Sequence, residues 1–300
     1  MKCIVTGGAG FIGSHIVDEL IQLGNEVIVI DNETSDAHEK PYYNSAAKYF
    51  KYDICDTELI RPLFEGVDTV FHLAAESRIQ PCIKNPCLAT MTNTFGTASV
   101  LQCAREMSVR RVVYSSTSAA YGLNTSSPNM EIHSEDCLNP YSVSKVAGEK
   151  LCKMYSDLYG LETIVFRYFN VYGERQPTRG QYAPVIGIFQ RQFKEQKPLT
   201  LVPDGQQRRD FVHVSDVVNA NILASTVSLQ HTDFVKYGDI FNIGSGENYS
   251  VQEIADMISF NQVFVEPREG EAKTTLACIH RAETYLGWKP KVNLKDWLLN

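Results

Sequence analysis

The chain has 300 residues, 44% hydrophobic and 21% charged, enough for one large domain or for a nucleotide-binding domain with a smaller partner. A net charge of −7 and a pI near 5.6 speak against a nucleic-acid binder, which carries a basic face. No apolar run approaches the ~20 residues of a membrane span, and neither CxxC nor HExxH spacing occurs among eight cysteines and seven histidines. A disulfide framework and a metal site are therefore not expected. The opening Met1-Lys2-Cys3-Ile4-Val5 reads as a strand, not a signal peptide, which sets a cytoplasmic expectation. Strands are expected at 2–6, 26–30, 49–53, 69–73, 111–116 and 163–168. Helical periodicity runs over 12–23, 89–107 and 143–159.

This alternation predicts an α/β fold: a Rossmann-type doubly wound parallel sheet with a smaller C-terminal α/β substrate lobe. After Tyr168 the alternation breaks. Residues 173–180 and 198–209 read as irregular, 240–243 as a strand, and 250–258 as a helix started by a Ser cap. The division expected is 1–168 with 211–245 for the cofactor domain, and 169–210 with 246–300 for a lobe over the carboxyl edge of the sheet.

The first strand runs into Gly7-Gly8-Ala9-Gly10-Phe11-Ile12-Gly13. Gly7 suits a tight turn, Gly10 a close approach to a pyrophosphate, and Gly13 close packing of helix on sheet. The helix N–H groups then face the phosphates. The spacing alone is weak, and a surface turn would also fit it. Its context is stronger, because the next strand ends at Asp31, where a ribose diol of NAD is accepted and the 2′-phosphate of NADP repelled.

Tyr141 and Lys145 stand one helical turn apart, after Asn139-Pro140. A free tyrosine has a pKa near ~10, so a nearby ammonium and a cationic nicotinamide would be needed to make it a base. Tyr285 and Lys289 have the same spacing, but Gly287 lies between them and Pro290 follows. Context thus favours the first pair. A hydroxyl partner is available in Tyr114-Ser115-Ser116-Thr117-Ser118, at the end of the fifth strand.

Together these segments resemble the extended short-chain dehydrogenase/reductase family, in particular its nucleotide-sugar epimerases of the UDP-glucose 4-epimerase type. The resemblance extends over GGAGFIG, Asp53-Ile54, His72-Leu73-Ala74-Ala75, Asn93, SSTSAAYG, NPYSVSK, Arg167 through Gly173, Asp204 through Phe211 and Arg268 through Glu271. It implies that Thr117, Tyr141 and Lys145 are catalytic. It further implies that Gly7, Gly10, Phe11, Ile12, Gly13, Asp31 and Asn32 hold NAD, with Asp53 and Ile54 at adenine. Leu73, Ala74, Ala75 and Asn93 would line the dinucleotide, joined by Ser115, Tyr141, Lys145 and Tyr168. Asn170 would bind the sugar nucleotide, Arg209 and Arg268 its diphosphate, and Glu271 its ribose. A homodimer built on helices that include 143–159 is implied as well.

Where related dehydratases carry Asp and Glu after the Thr, and UDP-xylose synthases a Glu two residues on, this chain has Ser118 and Ala119. Elimination and glutamate-assisted decarboxylation are thereby disfavoured. Glu269 departs from the family's usual Pro. The expected reaction is epimerisation at C4 of a UDP-sugar through a transient 4-keto sugar. Thr275, at a position where some members have a bulky aromatic, leaves UDP-N-acetylglucosamine open beside UDP-glucose. Arg175 or Arg179 could instead meet the carboxylate of UDP-glucuronic acid, for 4-epimerisation or decarboxylation. A non-catalytic dinucleotide-binding protein is the remaining alternative, and the presence of Thr117, Tyr141 and Lys145 together argues against it.

Overall fold

Runs of Val, Ile and Phe that tolerate burial from both sides build the central sheet. The computed structural model describes residues 1–35, 40–123, 126–178, 183–229, 235–266 and 273–299. Strand β1 (Lys2–Thr6) leads through α1 (Phe11–Gln22) to β2 (Glu26–Ile30) and β3 (Lys48–Phe50). Helix α2 (Thr57–Ile60) precedes β4 (Thr69–His72), and α3 (Ile79–Lys84), α4 (Pro86–Thr90) and α5 (Gly96–Glu106) lead to β5 (Arg111–Thr117). Helix α6 (Pro140–Tyr159) then joins β5 to β6 (Glu162–Tyr168). The short β7 (Asn170–Tyr172), α7 (Val185–Lys194), β8 (Leu199–Leu201) and β9 (Arg208–His213) follow, before α8 (Val214–Thr226) and β10 (Ile240–Ile243). The chain ends through β11 (Asn248–Ser250), α9 (Val251–Ile258), β12 (Gln262–Phe264), α10 (His280–Leu286) and α11 (Leu294–Leu299).

Seven strands form one parallel sheet in the order β10-β6-β5-β4-β1-β2-β3. One face packs Val5, Val29, Phe71, Val113 and Phe166 against α1 and α8; the other packs Ile4, Val70, Val112 and Val165 against α5 and α6. From β1 the chain winds outward to β3, then returns to β4 on the opposite side of β1. The carboxyl ends of β1 and β4 therefore flank the crevice where ligands of open α/β sheets bind.

Several expected boundaries move. The third strand covers only 48–50, because the chain turns at Tyr52 and Asp53 caps the N–H of Cys55 at 2.8 Å. The long helix expected at 89–107 is three pieces, with a π-helical turn at Met91–Phe95. That wide turn brings Asn93 inward, fully buried. Helix α6 begins three residues early, where Asn139 accepts from Ser142 N at 2.9 Å and Pro140 needs no N–H partner. The stretch 198–209, expected to be irregular, contains β8 and the start of β9. Strands β11, β9 and β7 form a separate three-stranded sheet, and β12 pairs with β8. These strands of three to six residues are too short to show a period. Their lobe has its own core around Tyr172, Phe189, Phe211 and Ile254.

Candidate active site

The glycine loop is shaped by backbone contacts. Gly7 has φ +69°, and a Cβ there would sit 2.7 Å from Ala74 N. A Cβ on Gly13 would land on the Gly7 carbonyl oxygen and 2.8 Å from Gly8 Cα. Gly10 differs: its φ is −87°, and an added Cβ would meet only Gly7 O, at 3.4 Å. Among the described residues nothing requires glycine at 10, so the space beside it suits an outside group. Gly10 also gives α1 no side-chain cap, whereas Asn139 and Ser250 cap α6 and α9 with full capping boxes. The first-turn N–H groups, at Phe11 and Ile12, thus point to a place where a pyrophosphate fits.

The walls of this groove are held by polar side chains. Thr6 Oγ1 accepts from the N–H groups of Leu73 and Ala74, both at 3.2 Å, and lies 2.7 Å from His72 Nδ1. His72 Nε2 is 2.9 Å from Thr97 Oγ1, which donates to Asn93 O at 2.6 Å. Burial drives the His72 imidazole down to about 3, with the Lys145 ammonium adding to the shift. Asp31, at the end of β2, accepts from Ala9 N at 3.0 Å and Glu33 N at 2.9 Å. A carboxylate has about four lone-pair sites, so Asp31 keeps capacity for ribose hydroxyls. Asn32 donates to Asp53 at 2.9 Å, joining the two positions expected near adenosine. Burial opposes ionisation of Asp53, but the Cys55 N–H and the Asn32 amide hold it below the usual carboxylate range.

Some predicted residues do other work in the structure. Ile54 is buried in the core, so close to residue 96 that a Cβ there would lie 2.5 Å from Ile54 Cδ1. Asn93 spends its amide on the chain: it accepts from Glu76 N at 2.8 Å and donates to Glu76 O and Ser144 Oγ, both at 3.0 Å. It fixes the loop that follows Ala75 to α6. Tyr168 is also tied up, accepting from Ser115 Oγ at 3.1 Å and Asn221 Nδ2 at 2.7 Å.

Thr117, Tyr141 and Lys145 come together at the carboxyl end of β5. The Thr117 hydroxyl stands near enough to the Tyr141 phenol to favour its ionised form, and it accepts from Ala119 N at 3.1 Å. Burial pushes the Tyr141 phenol up to about 12, and the Thr117 hydroxyl draws it back part of the way. The help expected from Lys145 is not part of this balance. Its ammonium lies over the Tyr114 ring, 4.3 Å from the centroid, where burial lowers it to about 8.

On the lobe side, Asn170 Nδ2 donates to Asp210 O at 2.8 Å. Arg209 Nη1 donates to the carbonyls of Arg208 at 3.0 Å and Lys273 at 3.1 Å. The resemblance puts Arg268 and Glu271 beside it. Those two residues, and Arg179, lie outside the described residues. Thr275 is buried, its N–H bonded to Arg208 O at 3.1 Å and its Oγ1 to Asp210 N at 3.3 Å. Arg175 is paired with Asp18 on α1 at 2.6 Å and lies over the Tyr42 ring, so it does not supply the free cation considered for a sugar carboxylate.

Sequence reasoning missed Asp210 as a hub. Fully buried, it accepts from Ser245 N at 2.6 Å, Ser245 Oγ at 2.9 Å, and Gly246 N and Ala277 N at 3.0 Å. It also gave no task to Thr6 or His72, although His72 stands in one of the segments that carry the resemblance. Polar residues at buried strand positions are the signal that could have found all three. Among the described residues no cluster could hold a metal ion, and no helix is long and apolar enough to cross a membrane.

A parallel sheet with an uncapped glycine loop at its switch point, and a Thr–Tyr–Lys group at the end of the fifth strand, defines a dinucleotide-binding α/β protein equipped for hydroxyl chemistry. Residues 3–244 match the NAD dependent epimerase/dehydratase family, and the chain belongs to that family. It is 39% identical over 302 residues to a putative UDP-glucose 4-epimerase of Methanocaldococcus jannaschii, covering 98% of this chain and 94% of that protein. The crystal structure of a Thermotoga maritima UDP-glucose 4-epimerase with UDP-glucose superposes with a TM-score of 0.92 at 33% identity, over 100% of this chain and 96% of that one. A UDP-N-acetylglucosamine 4-epimerase of Methanobrevibacter ruminantium, in complex with UDP-N-acetylmuramic acid, gives a TM-score of 0.89 at 30% identity, over 99% and 96%.

Proposed function

We propose that this chain inverts C4 of a UDP-linked sugar, glucose or N-acetylglucosamine, by removing and restoring one hydride. The observation that carries the reading is the placement of the Thr117 hydroxyl, at the carboxyl end of β5, beside the Tyr141 phenol, one helical turn from Lys145. The glycine loop, the first-turn N–H groups of α1 and Asp31 would hold NAD, which would supply a reversible hydride acceptor for C4 and a positive charge that favours the phenolate.

Everything else falls to the chain. Tyr141 Oη takes the proton of the C4 hydroxyl, directly or through Thr117, and gives it back to the epimer. A phenol at about 12 is ionised in only about one molecule in 10⁵ at pH 7, so the loaded site must favour the phenolate by up to ~7 kcal/mol. The residues after Thr117, Ser118 and Ala119, bring no carboxylate to C4, which leaves oxidation and re-reduction without elimination. Arg209 and Arg268 hold the diphosphate, leaving the sugar free to turn over between the two hydride steps. Asn170 and Glu271 bind the nucleotide, and Asp31 selects NAD over NADP.

Met91 and Phe95 on the π-helical turn and Val143 on the adjoining α6 each leave about half of their surface in solvent. A second copy of this chain covers them, pairing the helices around α6. The catalytic reading is tested by incubating the protein with UDP-, GDP- and dTDP-sugars and reading product configuration by NMR. The expected product is the C4 epimer of a UDP-sugar without net NADH release. Release of carbon dioxide from UDP-glucuronate would instead support the decarboxylase alternative, and no conversion of any sugar would contradict both.

A further inference from the structure

Behind the site, on the face of the sheet covered by α6, lies a charged group that the reaction does not touch. Glu149 follows Lys145 by one helical turn, and both side chains are almost fully buried. Residues so spaced have Cβ atoms ~5–6 Å apart. The Glu149 carboxylate is gripped from the sheet: Oε1 accepts from Ser116 Oγ at 2.5 Å and Arg167 Nε at 2.9 Å, and Oε2 accepts from Arg167 Nη2 at 2.6 Å. Ser116 precedes Thr117 on β5, and Arg167 precedes Tyr168 on β6. Arg167 lies 4.7 Å from the Tyr121 ring centroid, reaches Glu135 at 3.3 Å, and has no hydrogen-bond partner for Nη1 among the described residues. Helix and strand approach this closely because residue 148 is glycine: a Cβ there would stand 2.6 Å from Tyr114 Cζ.

We infer that Glu149 is a positioning residue for the reaction: fixed by Ser116 and Arg167, it is the counter-charge that keeps the Lys145 ammonium protonated in its buried seat over Tyr114. Among the described residues, the groups that act on Lys145 are Tyr114 on β5, His72 on β4, and Cys152 and Glu149 on α6, with Arg167 of β6 bonded to Glu149 and Tyr141 one turn before Lys145 on its own helix. Burial holds His72 neutral, and it pushes the Tyr114 phenol and the Cys152 thiol well above their ordinary values, so these are uncharged at neutral pH. Glu149, paired with Arg167 at 2.6 Å, is the acidic side chain in that set. Without it, two cations, Lys145 and Arg167, would share a dry space. An ion pair whose task was only to attach α6 to the sheet could be replaced by apolar residues without loss, which separates the two readings.

The inference rests on the role given to Lys145 above, but its test needs neither substrate nor cofactor, so either idea can fail alone. Lys145 is followed by its ¹³Cε resonance in lysine-labelled protein, assigned by its disappearance in Lys145→Met, and titrated over pH. In Glu149→Gln, which keeps the shape and removes the charge, the midpoint falls by about one unit or more from the wild-type value near 8. In Arg167→Gln, which leaves Glu149 facing Lys145 alone, it rises. Shifts of opposite sign are not produced by general loosening of the helix. A folded Glu149→Gln protein with an unmoved midpoint overturns the inference. If that variant does not fold, an unmoved or lowered midpoint in Arg167→Gln does the same. Failure of both to fold would overturn it in favour of a purely structural pair.

Discussion

Alanine at Gly10 and at Gly13 should have opposite consequences, although the two glycines belong to one motif. At Gly10 the backbone, with φ −87° and ψ −170°, lies in a region open to alanine, and the new methyl meets one atom at an ordinary 3.4 Å. A compatible Gly→Ala change stabilises by ~0.4–1 kcal/mol through the unfolded chain, so the cofactor-free Tm should hold or rise by about 1–3 °C. The methyl does, however, occupy the approach of the pyrophosphate. Overpacking of ~1–3 kcal/mol translates to NAD binding weaker by roughly 5- to 150-fold. At Gly13 the Cβ collides with the backbone of Gly7 and Gly8, which cannot rotate away. That change should cost ~1–3 kcal/mol of fold stability, a Tm lower by roughly 3–10 °C. Differential scanning calorimetry of NAD-free protein and titration calorimetry with NAD separate the two effects. Wild-type NAD affinity in Gly10→Ala, or an unchanged Tm in Gly13→Ala, would refute this account of the loop.

His72, held down to about 3 by burial, takes up a proton on unfolding at any pH between about 3 and its ordinary value near 6.5. Its contribution is full above pH 6.5 and is lost as pH falls toward 3, by about 2 kcal/mol between pH 6.5 and 5. Urea unfolding at those two pH values should show that loss in the wild type and a smaller one in His72→Gln. Arg209→Met should raise KM for a UDP-sugar at least about tenfold, and weaken UDP as an inhibitor equally, while NAD affinity in calorimetry stays at the wild-type level. Phe95→Glu should give a monomer in sedimentation if the exposed apolar face of α6 and its neighbours is the subunit interface; an unchanged mass would remove that assignment.

The parts that could be read from sequence are those where a local pattern and the burial pattern coincide. Strands β1, β2 and β10 appear at the expected residues because each is an apolar run buried from both sides. The glycine loop and the Tyr141–Lys145 spacing are local as well. What stayed hidden depends on contacts distant in sequence. The π-helical turn at Met91–Phe95 looks like unbroken helix, yet it is what turns Asn93 to meet Glu76 and Ser144. Strand β8 carries too few residues to show alternation, and it forms because β12, some sixty residues on, pairs with it. Spacing placed Lys145 near Tyr141 but could not reveal that Tyr114 draws its ammonium aside, nor that Asp18 occupies Arg175.

The central claim is that the Tyr141 hydroxyl exchanges the proton of a sugar C4 hydroxyl. It is tested most directly by Tyr141→Phe, which deletes one oxygen from a side chain whose bulk stays in place. With UDP-glucose and UDP-N-acetylglucosamine as substrates, the account predicts NAD affinity close to wild type and C4 inversion slowed by at least about a hundredfold. Inversion at near wild-type rate, with the cofactor bound, would contradict it.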